Sequence, residues 1–587
     1  MKKSLILAFS LLCGTSLFAQ QKSEYDVVYP GGKAPETKTV NNLWMWADVP
    51  DPDIIRVGDF YYLVSTTMHL MPGCPVMRSR DLVTWETVSY VFDEIHDTPR
   101  YDMETPWMIG KGAEGTNDGG CGFGEGNVAL GTVYGRGQWA TSIRYHKGTF
   151  WILFSANDAP HKSWLYKTDD PAKGWTLHAR LPHYHDASLL FDDKDDRCYV
   201  FFNGGAVQLA RLTEDLTAQD PTFEQRTLNT REGMPQGLLE GSRAFKHDGM
   251  YYLSMIGWPQ TGRCQVAYRS KNIEGPYEKK LILKSKFGGW NYVGQGTVVD
   301  GKNGEWYGVI FQDRGGVGRS LTLNPCNWID GWPMIGTLEE GKVPETMTLR
   351  VEEPTPAREP ERLSTVNKDG YISIVKSDEF GVESTMNTNV PLWQWNHNPV
   401  KEAWSMTERP GYLRLKTSIP AKSLYDARNT LTQRMEGPTC AGAVSIDIRK
   451  MKDGDRAGFA AFNGHSGILT IEKNGGKTEL VLTHEVVEMT TQEHAITGIE
   501  RQEIARVKIS GKNVCLKITG DFQPGHNDNA TFWYSTDQGK NWKQIGGDFR
   551  MRFDYRKFFM GTKFAIFNYC TKQKGGYVDV DWFRYEH

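Results

Sequence analysis

The sequence predicts an all-β protein, a five-bladed β-propeller followed by a β-sandwich, and three observations predict it. Aromatic residues make up 12% of the chain and alternate with turns rich in its 61 glycines, a composition suited to short, half-buried strands. Five segments of the first half share one hairpin pattern. In the second half ten or more further short strands follow one another, as in a sandwich. A chain of 587 residues exceeds one ordinary domain and is expected to hold two or three.

The N-terminal stretch "MKKSLILAFSLLCGTSLFAQ" has Lys2 and Lys3, then an apolar run, then small residues ending near Ala19. It reads as a secretory signal over residues 1–19, too short and wrongly flanked for a membrane span. Leu12 before Cys13 does not suit a lipidation signal, so cleavage after Ala19 is expected. No later segment is apolar enough to cross a bilayer, and the expected location is periplasmic or extracellular. A net charge of −3 without a basic run argues against a nucleic-acid partner. Eight of the nine cysteines follow the signal, and none has metal-ligand spacing, which argues against zinc. They are expected to be mostly buried as small apolar residues.

The propeller is assigned to residues 25–350. Its repeats read "DPDIIRVGDFYYLVS", "ATSIRYHKGTFWILFS", "DASLLFDDKDDRCYVFF", "EGSRAFKHDGMYYLSM" and "QGTVVDGKNGEWYGVIF". Each is an apolar strand, a Gly or Asp turn and an aromatic strand, the signature of a hairpin. Outer hairpins are marked by "SRDLVTW", "KTDDPAKGW" and "SKNIEGPY". Five such units arranged radially leave only short, protected sheet edges. Aligned on their strands, the repeats begin with Asp51, Ala140, Asp186, Glu240 and Gln295. Equivalent positions of a radial repeat converge on the axis, so three carboxyl groups should meet in one pocket. Two carboxyls flanking a glycosidic bond are what its hydrolysis requires, one protonated and one ionised. A third tunes the donor, because like charges disfavour a second ionisation. Calcium binding fits less well, because the dense Asp/Asn loop of an EF-hand is absent. A pure sugar-binding module is the other alternative.

The region from Leu43 to Pro333 resembles glycoside hydrolase family 43, the five-bladed family of β-xylosidases, α-L-arabinofuranosidases and arabinanases. The resemblance rests on "PDPDIIRVGDFYYLVST", "WATSIRYHKGTFWILF", "DASLLFDD", "LLEGSRAFKHDGMYYL" and "GRSLTLNPCNWIDGWP", which occur in family order. It implies Asp51 as general base, Glu240 as general acid and Asp186 as pKa modulator. It also implies inversion of configuration, with Asp51 and Glu240 roughly 6.5–9.5 Å apart. Arg319, in "GRSLTL", matches an arginine that the family points into the sugar subsite; pairing with a blade carboxylate is its other use. Trp139 is expected to wall the pocket. His69, in "STTMHLMPG", stands where xylosidase members carry "FEWFPG", and is assigned to substrate binding. The lost aromatic residues tip the expected sugar from xylose to arabinose. Gln295 replaces a His that many relatives associate with a central calcium or water cluster. It is assigned to the substrate pocket, no cofactor is required, and a structural calcium remains optional. Asp53 replaces the Ser of the family's "DPS" and is read as structural.

Residues 351–376, rich in Pro and charge, read as a linker or strap, and residues 377–587 as the sandwich. "WQWNHNP", "RPGYLRL" and "DARNTLTQR" resemble the concanavalin-like C-terminal domain of two-domain family 43 enzymes. The resemblance implies a domain leaning on the propeller and narrowing its pocket, with a separate carbohydrate-binding module as the alternative. "STDQGKNW" is read as a structural turn. The expectation is thus an exported, inverting exo-glycosidase releasing α-L-arabinofuranosyl or β-D-xylosyl units from plant polysaccharide or oligosaccharide. A retaining fructan-type hydrolase is disfavoured by the absence of "NDPNG" around Asp51, and a non-catalytic sugar-binding propeller by the intact acids. Nothing in the sequence specifies an oligomeric state.

Overall fold

The computed structural model describes residues 36–103, 133–158, 162–229, 239–351, 360–489 and 496–587. Strands dominate them, and their helices are single short turns. The expected signal segment, Cys121 and residues 352–359 of the expected linker lie outside the described residues.

Five four-stranded antiparallel sheets follow one another in chain order. Blade I comprises Asp53–Val57, Phe60–Val64, Gly73–Ser79 and Trp85–Phe92. Blade II comprises Gln138–His146, Thr149–Ala156, Lys162–Thr168 and Thr176–Pro182. Blade III comprises Ser188–Phe191, Cys198–Phe202, Val207–Arg211 and Arg226–Asn229. Blade IV comprises Leu239–His247, Met250–Gly257, Cys264–Ser270 and Glu278–Leu283. Blade V comprises Gly296–Asp300, Trp306–Asp313, Arg319–Ile329 and Trp332–Ile335. The inner strand of each blade neighbours that of the next, and blade V neighbours blade I, which closes the ring.

Local chemistry explains the inner hairpins. Lys147–Gly148 and Asp248–Gly249 are two-residue turns with positive φ at both positions (48° and 83°, 47° and 72°), the geometry whose twist matches that of the flanking strands. Ring closure is non-covalent. Glu36–Asn41 pairs with Thr346–Val351 outside the blades, and the buried Asn42 carboxamide donates to the carbonyls of Leu323 (2.8 Å) and Pro344 (2.9 Å).

Apart from the short pair Thr365–Val366 and Ile372–Ser373, the remaining strands form a concanavalin-like sandwich of two sheets. One sheet runs Ile496–Lys508, Lys477–Met489, His465–Asn474, Asp455–Phe462, Lys563–Cys570, Leu431–Arg434 and Gln394–Asn396. Its last strand, Leu70–Met71, comes from blade I and pairs with Trp395 and Asn396. The facing sheet is built around Tyr577–Glu586, Thr439–Asp447 and Asn513–Asp521. Phe459 and Phe564 from the first sheet pack on Phe583 from the second, and all three are buried. In "STDQGKNW" the Ser535 hydroxyl donates to Asp537 (2.6 Å) and accepts from the Gly539 amide (3.1 Å), which closes a turn.

The seven described cysteines beyond the signal are unpaired and buried. Burial pushes the thiols of Cys74 and Cys440 up to about 12, which leaves them inert. No helix among the described residues is long and apolar enough to cross a membrane.

Candidate active site

Asp51, Asp186 and Glu240 lie on the wall of one cavity of about 760 Å³. Asp51 and Asp186 precede the inner strands of blades I and III in left-handed backbone, with φ of 52° and 47°. Gln295 does the same in blade V with φ of 72°. Non-glycine residues held in this conformation cost energy and cluster at functional sites. Blades II and IV solve the same position differently. Their inner strands start earlier and bulge between Gln138 and Thr141 and between Glu240 and Arg243. The bulge in blade II turns Trp139 to the cavity, and the aligned residue Ala140 is buried away from it.

The Asp51 carboxylate is held from two sides. The Thr66 hydroxyl donates to it (2.7 Å), and Nη1 of Arg319 donates to both of its oxygens (3.1 and 3.0 Å). Burial pushes the Asp51 carboxyl above its ordinary range, opposed by Arg319 and reinforced by the charge of Asp186. Burial raises Asp186 as well, opposed by His185 and reinforced by Glu240. Glu240 sits against Gly204 and is followed by Gly241, whose φ is +66° and whose Cβ, if present, would lie 2.7 Å from the Gln295 carboxamide. Only glycine fits there.

The sequence reading missed His185. Its Nε2 lies 3.5 Å from a Glu240 oxygen and 3.9 Å from an Asp186 oxygen. Burial alone would lower its pKa, but Asp186, Glu240 and Asp51 outweigh it and raise the imidazole to about 9. A lone His beside an aligned Asp carries no spacing signal; its neighbours come from separate blades.

His185, Asp186 and Glu240 are the one His/Cys/Asp/Glu group among the described residues close enough to hold a metal ion. With the His185 imidazole held protonated by these acids, a metal could be bound here only with release of that proton. The axis beneath the acids is filled by guanidinium groups instead. Arg243 donates to the carbonyls of Asp51 (3.0 Å), Pro52 (3.2 Å) and Ser242 (2.9 Å). Arg144 reaches the Asp53 carboxylate (2.7 Å), the Ser188 hydroxyl (2.8 Å) and the Ala244 carbonyl (2.7 Å), joining blades I to IV. Asp53, only 1% exposed, thus balances the fully buried Arg243 and the partly exposed Arg144.

Trp258, Arg263 and Asp313 line the cavity on the propeller side, with the Arg263 guanidinium 4.1 Å from the Trp258 ring and paired with Asp313. The sandwich supplies Phe553, Tyr555 and Phe559. The Phe559 ring meets Trp139 at 5.3 Å and lies 4.6 Å from the Arg319 guanidinium. Trp139, Gln295 and Arg319 line the cavity. His69 does not. It is fully buried between Tyr134, His397 and Phe558 in the domain interface, and burial holds its imidazole well below the usual range. The assignment of His69 to substrate is therefore corrected: pairing of Leu70–Met71 with the sandwich sheet carries His69 out of the pocket.

Carboxyl groups converging at one end of a five-bladed propeller, in a pocket walled by aromatic rings, define a hydrolase of glycosidic bonds. The profile described as glycosyl hydrolases family 43 matches residues 42–107 and 127–333, and that of the beta xylosidase C-terminal concanavalin A-like domain matches residues 383–586. The chain belongs to glycoside hydrolase family 43. It is 26% identical to a beta-xylosidase of Formosa agariphila over 92% of this chain and 89% of that one. It is 26% identical to a non-reducing end alpha-L-arabinofuranosidase of Bacteroides ovatus over 78% of this chain and 82% of that one. Among solved structures, a bifunctional GH43-CE protein of Bacteroides eggerthii superposes with a TM-score of 0.78 at 35% identity. That match covers 94% of this chain and spans 64% of the other.

Proposed function

We propose that the protein is an exported, inverting exo-glycosidase that removes terminal α-L-arabinofuranosyl or β-D-xylosyl units from plant polysaccharide or oligosaccharide. The observation that carries this reading is the convergence of Asp51, Asp186 and Glu240 in a cavity walled on one side by the sandwich residues Phe553, Tyr555 and Phe559. A wall beside the acids favours a chain end over a through-running polymer. The xylosidase and arabinofuranosidase relatives support the pair of sugars, and the basic, then apolar, N-terminal segment supports export.

In this reading Glu240 donates its proton to the leaving oxygen while Asp51 takes one from the attacking water on the opposite face. Arg319 and Thr66 aim the Asp51 carboxylate, and the Arg319 charge keeps it ionisable in a buried place. Asp186 sets a negative charge beside the acid, and the His185 cation keeps three neighbouring carboxyls from repelling one another apart. Phe559 and Trp139 form an apolar corner for a sugar face.

The test is proton NMR of the protein acting on a mixture of an aryl α-L-arabinofuranoside and an aryl β-D-xyloside. Loss of one sugar, with the inverted anomer appearing first, supports the mechanism and identifies the sugar. First appearance of the retained anomer would make Asp51 a nucleophile and overturn the inverting reading.

A further inference from the structure

We propose that Asp48 is a positioning residue of the active site: its buried carboxylate ties the Gly561–Lys563 segment of the sandwich to the backbone of Arg319, and so holds Arg319 against Asp51. The proposal rests on the reading of Asp51 as the general base.

Asp48 is 1% exposed, as is Lys563, whose Nζ lies 3.0 Å from its Oδ2. The Gly561 amide donates to the same oxygen (2.7 Å), and the Arg319 amide donates to Oδ1 (3.0 Å). Arg434 of the sandwich donates to the Asp48 carbonyl (2.9 Å). Burial alone would raise the Asp48 carboxyl, but Lys563, Arg319 and the two amides hold it below the ordinary range, so it stays a carboxylate. The side chain of Arg319 then spans the interface: Nη1 reaches Asp51, and Nη2 donates to the Phe559 carbonyl (3.0 Å). The backbone of this arginine is thus held by Asp48 itself, and its Nη2 by the Phe559 carbonyl, two residues before the Gly561 amide that Asp48 clamps. The two backbones also meet here without room for side chains. A Cβ on Gly318, where φ is +97°, would lie 2.3 Å from an Asp48 oxygen, and one on Gly561 would lie 2.1 Å from the Val317 carbonyl.

A purely structural clamp would affect folding and leave the chemistry of a folded variant alone. A positioning clamp acts on the base. The charged groups facing Asp51 are Arg319, Asp186, Arg243 and His185, and those facing Asp48 are Lys563, Arg319 and Arg434. Loosening Arg319 weakens the main charge that opposes the upward push of burial on Asp51. The acidic limb of kcat should therefore move to higher pH.

The test uses the full chain with Asp48→Asn, Arg319→Lys and both together. Asp48→Asn is expected to lower kcat about tenfold or more, with KM within about twofold, since small misplacements of reacting groups are costly. It should shift the acidic limb in the same direction as Arg319→Lys, and the double variant should be no worse than Arg319→Lys alone. A folded Asp48→Asn protein with wild-type kcat and acidic limb, or additive losses in the double variant, would overturn the proposal. Should Asp48→Asn not fold, Lys563→Met keeps the buried stem, removes the charge and must produce the same limb shift. Asp51→Asn separates the two readings. If it retains full activity, the base assignment fails; if it is inactive while Asp48→Asn is normal, only the clamp fails.

Discussion

Replacing His185 with Asn removes the cation that faces two acids while leaving a polar side chain of modest size. The ordinary imidazole value of 6.5 is raised to about 9 here. Each unit is worth about 1.4 kcal/mol, so the ceiling on its contribution to stability is about 3 kcal/mol. A side chain 21% exposed keeps most of this interaction out of bulk solvent. Because the folded-state value lies above the ordinary one, the contribution is complete below about pH 6.5 and is lost as pH rises through about 9. Urea unfolding of wild type and His185→Asn, followed by Trp fluorescence at about pH 6 and about pH 10, reads it directly. The stability gap between the two proteins should shrink across that range, by at most about 3 kcal/mol. A gap that stays constant would refute a raised imidazole between Glu240 and Asp186.

Glu240→Ala should lose roughly 10²–10⁴-fold in kcat/KM on natural oligosaccharides, yet far less on a dinitrophenyl glycoside whose leaving group needs no proton; equal losses on both would remove Glu240 from the acid role. Asp186→Asn should move the alkaline limb of the pH profile to lower pH, because a carboxylate nearby disfavours a second ionisation. Gly241→Ala should lower both the melting temperature and activity, since its Cβ would lie 2.7 Å from Gln295 in left-handed backbone. Prolonged dialysis against a chelator should leave kcat and melting temperature unchanged, as Arg144 and Arg243 fill the axis; loss of activity restored by calcium would contradict that reading.

The blades were legible because a hairpin is encoded locally. "HKGTF" and "HDGM" place turn residues between alternating strands, and the structure folds both as two-residue turns. Asp51, Asp186 and Glu240 were legible for a related reason: repetition puts each at the same place in its blade, and the ring brings them together. The alignment erred by one residue in blade II, where a bulge presents Trp139 in place of Ala140, because bulges follow from strand pairing more than from residue type. His69 misled for want of a partner. The strand that follows it is two residues long and forms only against Trp395 and Asn396, far along the chain.

By itself the sequence determined the all-β architecture, the repeat, the three acids and the family, since each depends on neighbours within one hairpin or on a motif read in order. Tertiary structure alone decided that His185 stands between two of the acids, that two arginines fill the axis, and that Phe559 walls the pocket. It alone joined Asp48 to Gly561 and Lys563, 513 and 515 positions away. Contacts at such separation leave no period or spacing in the chain. They exist only once two independently patterned domains have folded and their loops share the same buried space.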